Sequence, residues 1–196
     1  MTAFIEKARI AFLKAGLDNL ARSYGSASVP LQKPGVSCGK QRLACRTKEL
    51  EVAYEVTGPI HGRPLVLVHG WPDDIGCWDK VIECIGSHDF RIYTPYLRGV
   101  GPTRFLSDTT MRSGAIAALA LDLAQLLDAL DLQDVLLAGH DWGARAAYGV
   151  AALFPRRLAG LIAASAGYAT SMSPKAMPYD LALAYWYEWY AATSQG

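Results

Sequence analysis

The stretch Gly139-His140-Asp141-Trp142-Gly143 constrains this chain more than any other. An apolar run from Asp134 to Ala138 leads into it, and a helical pattern from Ala144 to Leu153 leads out. Glycines two residues before and two after a central acid let a strand and a helix meet at a sharp, strained turn. Such a turn lifts the middle side chain clear of the backbone, which is how a strand-to-helix elbow presents a nucleophile. A competing reading makes Asp141 the N-cap of the helix, where aspartate is favoured. That reading leaves both glycines without a reason.

The rest of the chain has the texture such an elbow needs. With 196 residues and 52% hydrophobic content, it is long enough to bury one sizeable core. Arg42 to Arg46 and Leu50 to Val56 read as a hairpin turning near Lys48, and Pro64 to Val68 as a central parallel strand. A helix at Trp78 to Ile85, a strand at Phe90 to Leu97, a long helix at Gly114 to Leu130 and a strand at Leu158 to Ala164 follow the same alternation. About six strands interleaved with helices give an α/β chain: a mostly parallel sheet with helices on both faces. Its ligand site belongs at the carboxyl ends of the strands.

Three segments are expected. Residues 1–40 hold an amphipathic helix (about 2 to 24) and a linker rich in Pro, Ser and Gly; 41–170 hold the α/β core; 171–196 begin a helical cap. In the cap, Met172 to Met177 reads as a loop and Tyr179 to Ala192 as one helix dense in aromatics. Lys7, Arg9, Lys14 and Arg22 give the N-terminal helix some character of an organelle transit peptide, against which Glu6 and Asp18 count.

Charge and cysteine usage narrow the function classes. Nineteen basic and eighteen acidic residues leave a net charge of +1, with no basic stripe for nucleic acid. The longest apolar run, from Ala115, is broken by Asp122 and Gln125, short of the ~18 residues a spanning helix needs. Cys38, Cys45, Cys77 and Cys84 show no metal-ligand spacing and read as free thiols in a reducing compartment, so the expected location is cytoplasmic. No cofactor or metal is called for.

A second glycine turn, His69-Gly70-Trp71-Pro72, ends the central strand. Pro72 fixes the backbone and permits a cis bond after Trp71, so the Trp71 N–H can be aimed inward. With the N–H of Trp142, just after Asp141, it makes a two-donor oxyanion hole.

These turns, together with Arg98-Gly99-Val100-Gly101-Pro102-Thr103, resemble the motifs of the three-layer α/β-hydrolase fold, and within it of epoxide hydrolases. The resemblance runs from about Arg42 to Tyr190. It implies an aspartate nucleophile, Asp141, that opens an epoxide to an enzyme ester, which water then cleaves to a diol. A carboxylate suits that task because it is ionised at neutral pH and needs no activating base. The helix N-terminus behind it favours the charge. The family's cap tyrosine, which hydrogen-bonds the departing ring oxygen, corresponds to Tyr187; Glu188 and Ala191 depart from the cap motif, and Tyr96 stands where the family commonly has Asp.

The family's hydrolytic step also needs an acid and then a histidine downstream of the nucleophile. The four histidines are His61, His69, His88 and His140, so none follows the elbow. His140 and His69 read as structural or pocket neighbours within the motifs. The expectation is therefore the N-terminal part of such a hydrolase, with the C-terminal part of the sheet missing and no turnover by this chain alone. Two alternatives stand beside it: a haloalkane dehalogenase-like hydrolase, in which indole N–H groups cradle a halide, and a non-catalytic fragment or pseudoenzyme. The expected partner is a small molecule, an epoxide or haloalkane.

Overall fold

The computed structural model describes residues 39–86, 89–166, 178–191 and 193. The expected N-terminal helix, the linker before Gly39, Cys38, His88 and the loop Met172 to Met177 lie outside the described residues.

The strands are β1 (Gln41–Arg46), β2 (Leu50–Thr57), β3 (Arg63–Val68), β4 (Phe90–Pro95), β5 (Arg104–Phe105), β6 (Val135–His140) and β7 (Leu158–Ala164). They form one seven-stranded sheet in the order β1-β2-β4-β3-β6-β7, with β5 alongside β2. Strands β4, β3, β6 and β7 run parallel, while β1, β2 and β5 pair antiparallel. Two-residue β5 is the strand that sequence periodicity missed, because a period of two needs a longer run to register.

The helices are α1 (Asp79–Ile85), α2 (Ile116–Ala129), α3 (Trp142–Leu153), α4 (Tyr179–Ala184) and α5 (Trp186–Ala191). A 3-10 turn, Ile75–Trp78, precedes α1, and the Asp74 carboxylate caps it by accepting from the Gly76 N–H at 2.8 Å. Where one aromatic helix was expected from Tyr179 to Ala192, two short helices meet at Tyr185.

Alternation along β3 explains the three layers. Val66 and Val68 join Leu119, Leu123, Leu126 and Leu127 of α2, and Ala146, Ala147 and Val150 of α3, in one core. Leu65 and Leu67 point the other way and join Trp78 and Val81 beside α1. A period-two strand with both faces apolar must be covered twice. The apolar positions of α2 recur at helical spacing. Small residues on α3 bring the two helices so close that a Cβ on Gly149 would lie 2.6 Å from the Ala120 Cβ. Strand β7 ends the described sheet, half-buried along most of its length.

Candidate active site

Register places the site. Val68 of β3 is paired with Gly139 of β6, so the residues following the two strands face each other at their carboxyl ends. Strand β6 runs on to His140 and α3 begins at Trp142, which leaves Asp141 alone between strand and helix. Asp141 has φ 53° and ψ −117°, a conformation L-residues rarely adopt and one that concentrates at functional sites.

Glycine makes this turn possible through space. A Cβ on Gly139 would come 2.4 Å from the Gly143 backbone, and one on Gly143 would come 2.3 Å from the Val68 carbonyl oxygen. Asp141 sits in the N-cap position, yet its side chain makes no capping hydrogen bond. Its Oδ1 instead accepts from the Trp71 N–H at 3.1 Å. The helix-cap reading thus fails for a geometric reason: the elbow turns the carboxylate toward the neighbouring strand's loop.

The Trp71–Pro72 peptide is cis. Gly70 accommodates the acid, since a Cβ there would lie 2.5 Å from the Asp141 Cβ and 2.8 Å from its Oδ1. Trp71 is 48% exposed, and the Tyr187 ring stacks on it with centroids 4.4 Å apart and planes 13° from parallel. Tyr185 and Trp186 meet Tyr187 edge-on at 6.1 and 6.5 Å. Trp142 is buried and lines a cavity together with Trp71. Asp141, Trp71, Trp142 and Tyr187 therefore fall in one neighbourhood.

The histidines divide. His69 is fully buried; its Nδ1 lies 2.9 Å from the Gly70 carbonyl oxygen, and its Nε2 accepts from the Leu97 N–H at 3.1 Å. Those partners require a neutral ring protonated on Nδ1, and burial pushes its pKa below the ordinary value. His69 thus ties the two loops together. His140 is half-buried with Nδ1 4.0 Å from Asp73 Oδ2.

Sequence reading missed the clamp behind the site. Arg98 grips Asp122 of α2 through Nε–Oδ2 at 2.5 Å and Nη2–Oδ1 at 2.7 Å, and its Nη1 donates to the Ser113 carbonyl oxygen at 2.9 Å. Glu49 adds a fourth contact at 3.5 Å. Burial pushes the Asp122 carboxyl above its usual range, against the pull of Arg98. The signal was an acid on the apolar face of α2, which the sequence shows only as a break in a hydrophobic run. Thr103 Oγ1 donates to the Tyr96 carbonyl oxygen at 2.9 Å and accepts from the Ala53 N–H at 3.0 Å, closing the same loop. Gly101, at φ 55°, leaves room for the Tyr96 ring, which a Cβ would approach to 2.5 Å. Tyr96, unexplained by the sequence, packs in a small core with Ala53 and Ile75.

No group of three or more His, Cys, Asp and Glu side chains among the described residues is arranged to hold a metal ion. Nor is any helix among them long and apolar enough to cross a membrane.

A sheet covered on both faces, with an acid raised on an elbow after its central parallel strands, defines the α/β-hydrolase architecture. Residues 63–195 match the family model of the alpha/beta hydrolase fold, and the chain belongs to that family. Within it, the chain is 30% identical over 119 residues to an epoxide hydrolase of Caballeronia sordidicola, covering 61% of this chain and 36% of that protein. A crystal structure of a putative epoxide hydrolase from Klebsiella pneumoniae superposes with a TM-score of 0.68 at 42% identity, covering 80% of this chain and 52% of that one. A non-heme chloroperoxidase of Streptomyces lividans is 34% identical over 116 residues, covering 59% of this chain and 41% of that protein. The chain thus spans about a third of the length of the curated epoxide hydrolase and about half of the solved one.

Proposed function

We propose that Asp141 is the nucleophile of an epoxide-opening reaction. The observation that carries the proposal is the Trp71 N–H bonded to Asp141 Oδ1 at 3.1 Å, with the carboxylate at a positive-φ elbow. In this reading Oδ2 attacks an epoxide carbon, a carbon–oxygen ester bond forms, and the ring carbon–oxygen bond breaks. The ring oxygen takes its proton from the Tyr187 phenol, which regains one from solvent. The product is a hydroxyalkyl ester of Asp141.

Hydrolysis of that ester places negative charge on its carbonyl oxygen, and the N–H groups of Trp71 and Trp142 are the donors assigned to it. A base must also activate water. His69 is committed to two backbone groups, and the sequence has no histidine beyond His140. These 196 residues are accordingly proposed to carry the alkylation half of the reaction and to stop at the ester.

The names of the relatives support an epoxide over other electrophiles. Intact mass spectrometry after incubation with propylene oxide tests the reading. One adduct per chain is expected, with no diol accumulating and no adduct on Asp141→Asn. Catalytic diol formation, or equal labelling of the Asn variant, sinks it.

A further inference from the structure

Three hydrogen bonds run in series across the carboxyl ends of three neighbouring strands. The Leu97 N–H, just beyond β4, donates to His69 Nε2 at 3.1 Å. His69 Nδ1 donates to the Gly70 carbonyl oxygen at 2.9 Å, and the Trp71 N–H donates to Asp141 Oδ1 at 3.1 Å. Strand β3, which leads into His69, lies between β4 and β6 and runs parallel to both. The series therefore starts beside one neighbour of β3 and ends at the acid beside the other.

Its middle link is a single peptide unit. The Gly70 carbonyl and the Trp71 N–H belong to the same amide, which is planar and trans, the cis bond being the next one along. Oxygen and hydrogen of a trans amide point in opposite directions, so His69 holds one end of the plane and Asp141 meets the other. Rotation of that plane would lose both bonds together. Gly70 has no side chain with which to brace it, since a Cβ there would lie 2.5 Å from the Asp141 Cβ.

A tie between the loops after β3 and β4 would need only the Leu97 bond. The second ring nitrogen goes instead to the carbonyl whose amide reaches the acid. Neutral imidazole suits the task because it accepts at one nitrogen and donates at the other. His69 is fully buried, so no water competes for either nitrogen. All three donors face the same way along the series, and hydrogen bonds so aligned polarise one another.

Resting on the assignment of Asp141 as nucleophile, we propose that His69 is a positioning residue of the reaction: by holding the Gly70 carbonyl it aims the Trp71 N–H at Asp141 Oδ1, which leaves Oδ2 to attack. When the ester forms, Oδ1 becomes its carbonyl oxygen and keeps the same donor. One side chain thus orients the acid for alkylation and the oxyanion donor for the step after it.

The two nitrogens of His69 can be replaced separately. The amide nitrogen of an asparagine stands near the place of Nδ1, and the amide oxygen of a glutamine near that of Nε2. His69→Asn therefore keeps a donor for Gly70 and gives up the Leu97 bond, whereas His69→Gln keeps the Leu97 bond and gives up the hold on Gly70. Alkylation by propylene oxide, followed by intact mass spectrometry over a range of concentrations, separates the limiting rate constant from the half-saturating concentration. The limiting rate of His69→Gln is expected to fall about tenfold or more below that of His69→Asn, with similar half-saturating concentrations, because misplacing a reacting group by about 1 Å costs on the order of 100-fold. An Asn variant no faster than the Gln variant makes His69 a structural tie and overturns the proposal. Where either variant fails to fold, the native protein supplies the readout: esterification of Asp141 removes the charge at the end of the series, so the His69 Nδ1–H proton resonance is expected to move upfield, and an unmoved resonance overturns the proposal. Both results leave the nucleophile assignment standing. If propylene oxide leaves Asp141 of the native protein unlabelled, the nucleophile assignment falls and the positioning role falls with it.

Discussion

Trp71 and Asp141 are 70 residues apart in sequence, and the backbone N–H of the first donates to Oδ1 of the second at 3.1 Å. The bond joins the turns after two neighbouring parallel strands, and it holds the carboxylate by a backbone donor that only a proline at position 71 would remove.

The closeness of the two turns makes Gly70 a position at which a single methyl acts directly on the acid. In Gly70→Ala the new methyl would lie 2.5 Å from the Asp141 Cβ and 2.8 Å from the His140 carbonyl oxygen, so the acid must shift. A displacement near 1 Å costs on the order of 100-fold in rate. Alkylation by propylene oxide should slow by about that factor, while the far-ultraviolet circular dichroism of the variant stays native-like.

Tyr187→Phe separates the phenol from the ring. The stack on Trp71 at 4.4 Å needs only the aromatic plane, so packing is retained. Loss of a proton donor typically costs about 100-fold or more. Single-turnover alkylation should fall to that extent at neutral pH, with the urea unfolding midpoint close to that of the native protein. An unaltered alkylation rate would leave Tyr187 a packing residue only.

Stability should depend on pH through His69. Burial lowers its folded pKa below the ordinary 6.5, so the unfolded chain binds the proton first as pH falls. Its contribution is complete above 6.5 and is lost below that value, at up to about 1.4 kcal/mol per pH unit. The physical event is a collision of donors: a protonated Nε2 would face the Leu97 N–H that it now accepts. Urea titrations between neutral and mildly acidic pH should show this slope, and His69→Gln, whose oxygen can accept the same bond without protonating, should flatten it.

Asp122→Asn leaves the buried Arg98 guanidinium with only the half-exposed Glu49 as its charge partner. Removing one member of a buried pair costs about 3–5 kcal/mol. Urea unfolding should show a loss of that order. Combining Asp122→Leu with Arg98→Met should recover part of it, because no buried charge is then left unpaired.

How much of this was legible in the sequence follows from the range over which each signal acts. The elbow, the continuous apolar run of β3, the apolar stripe of α2 and the second glycine turn are local patterns, and all four lie where the residues indicated. Helix and strand ends moved by a residue or two, because a positive φ at Asp141, not hydrophobicity, separates β6 from α3. Asp122 shows the limit in the other direction. Within its helix it is an interruption, and only the Arg98 loop, 24 residues earlier, gives it a purpose.

The sequence by itself determined that a strand, an acid between glycines and a helix would follow one another, since steric permission at Gly139 and Gly143 is a property of those residues. It also determined the family, through motifs that need no coordinates to be read. Only the tertiary structure decided which side of the elbow the carboxylate takes, and that Trp71 rather than the helix end receives it. Those are distances between segments far apart in the chain, fixed by the register of β3 against β6, and no local pattern encodes them.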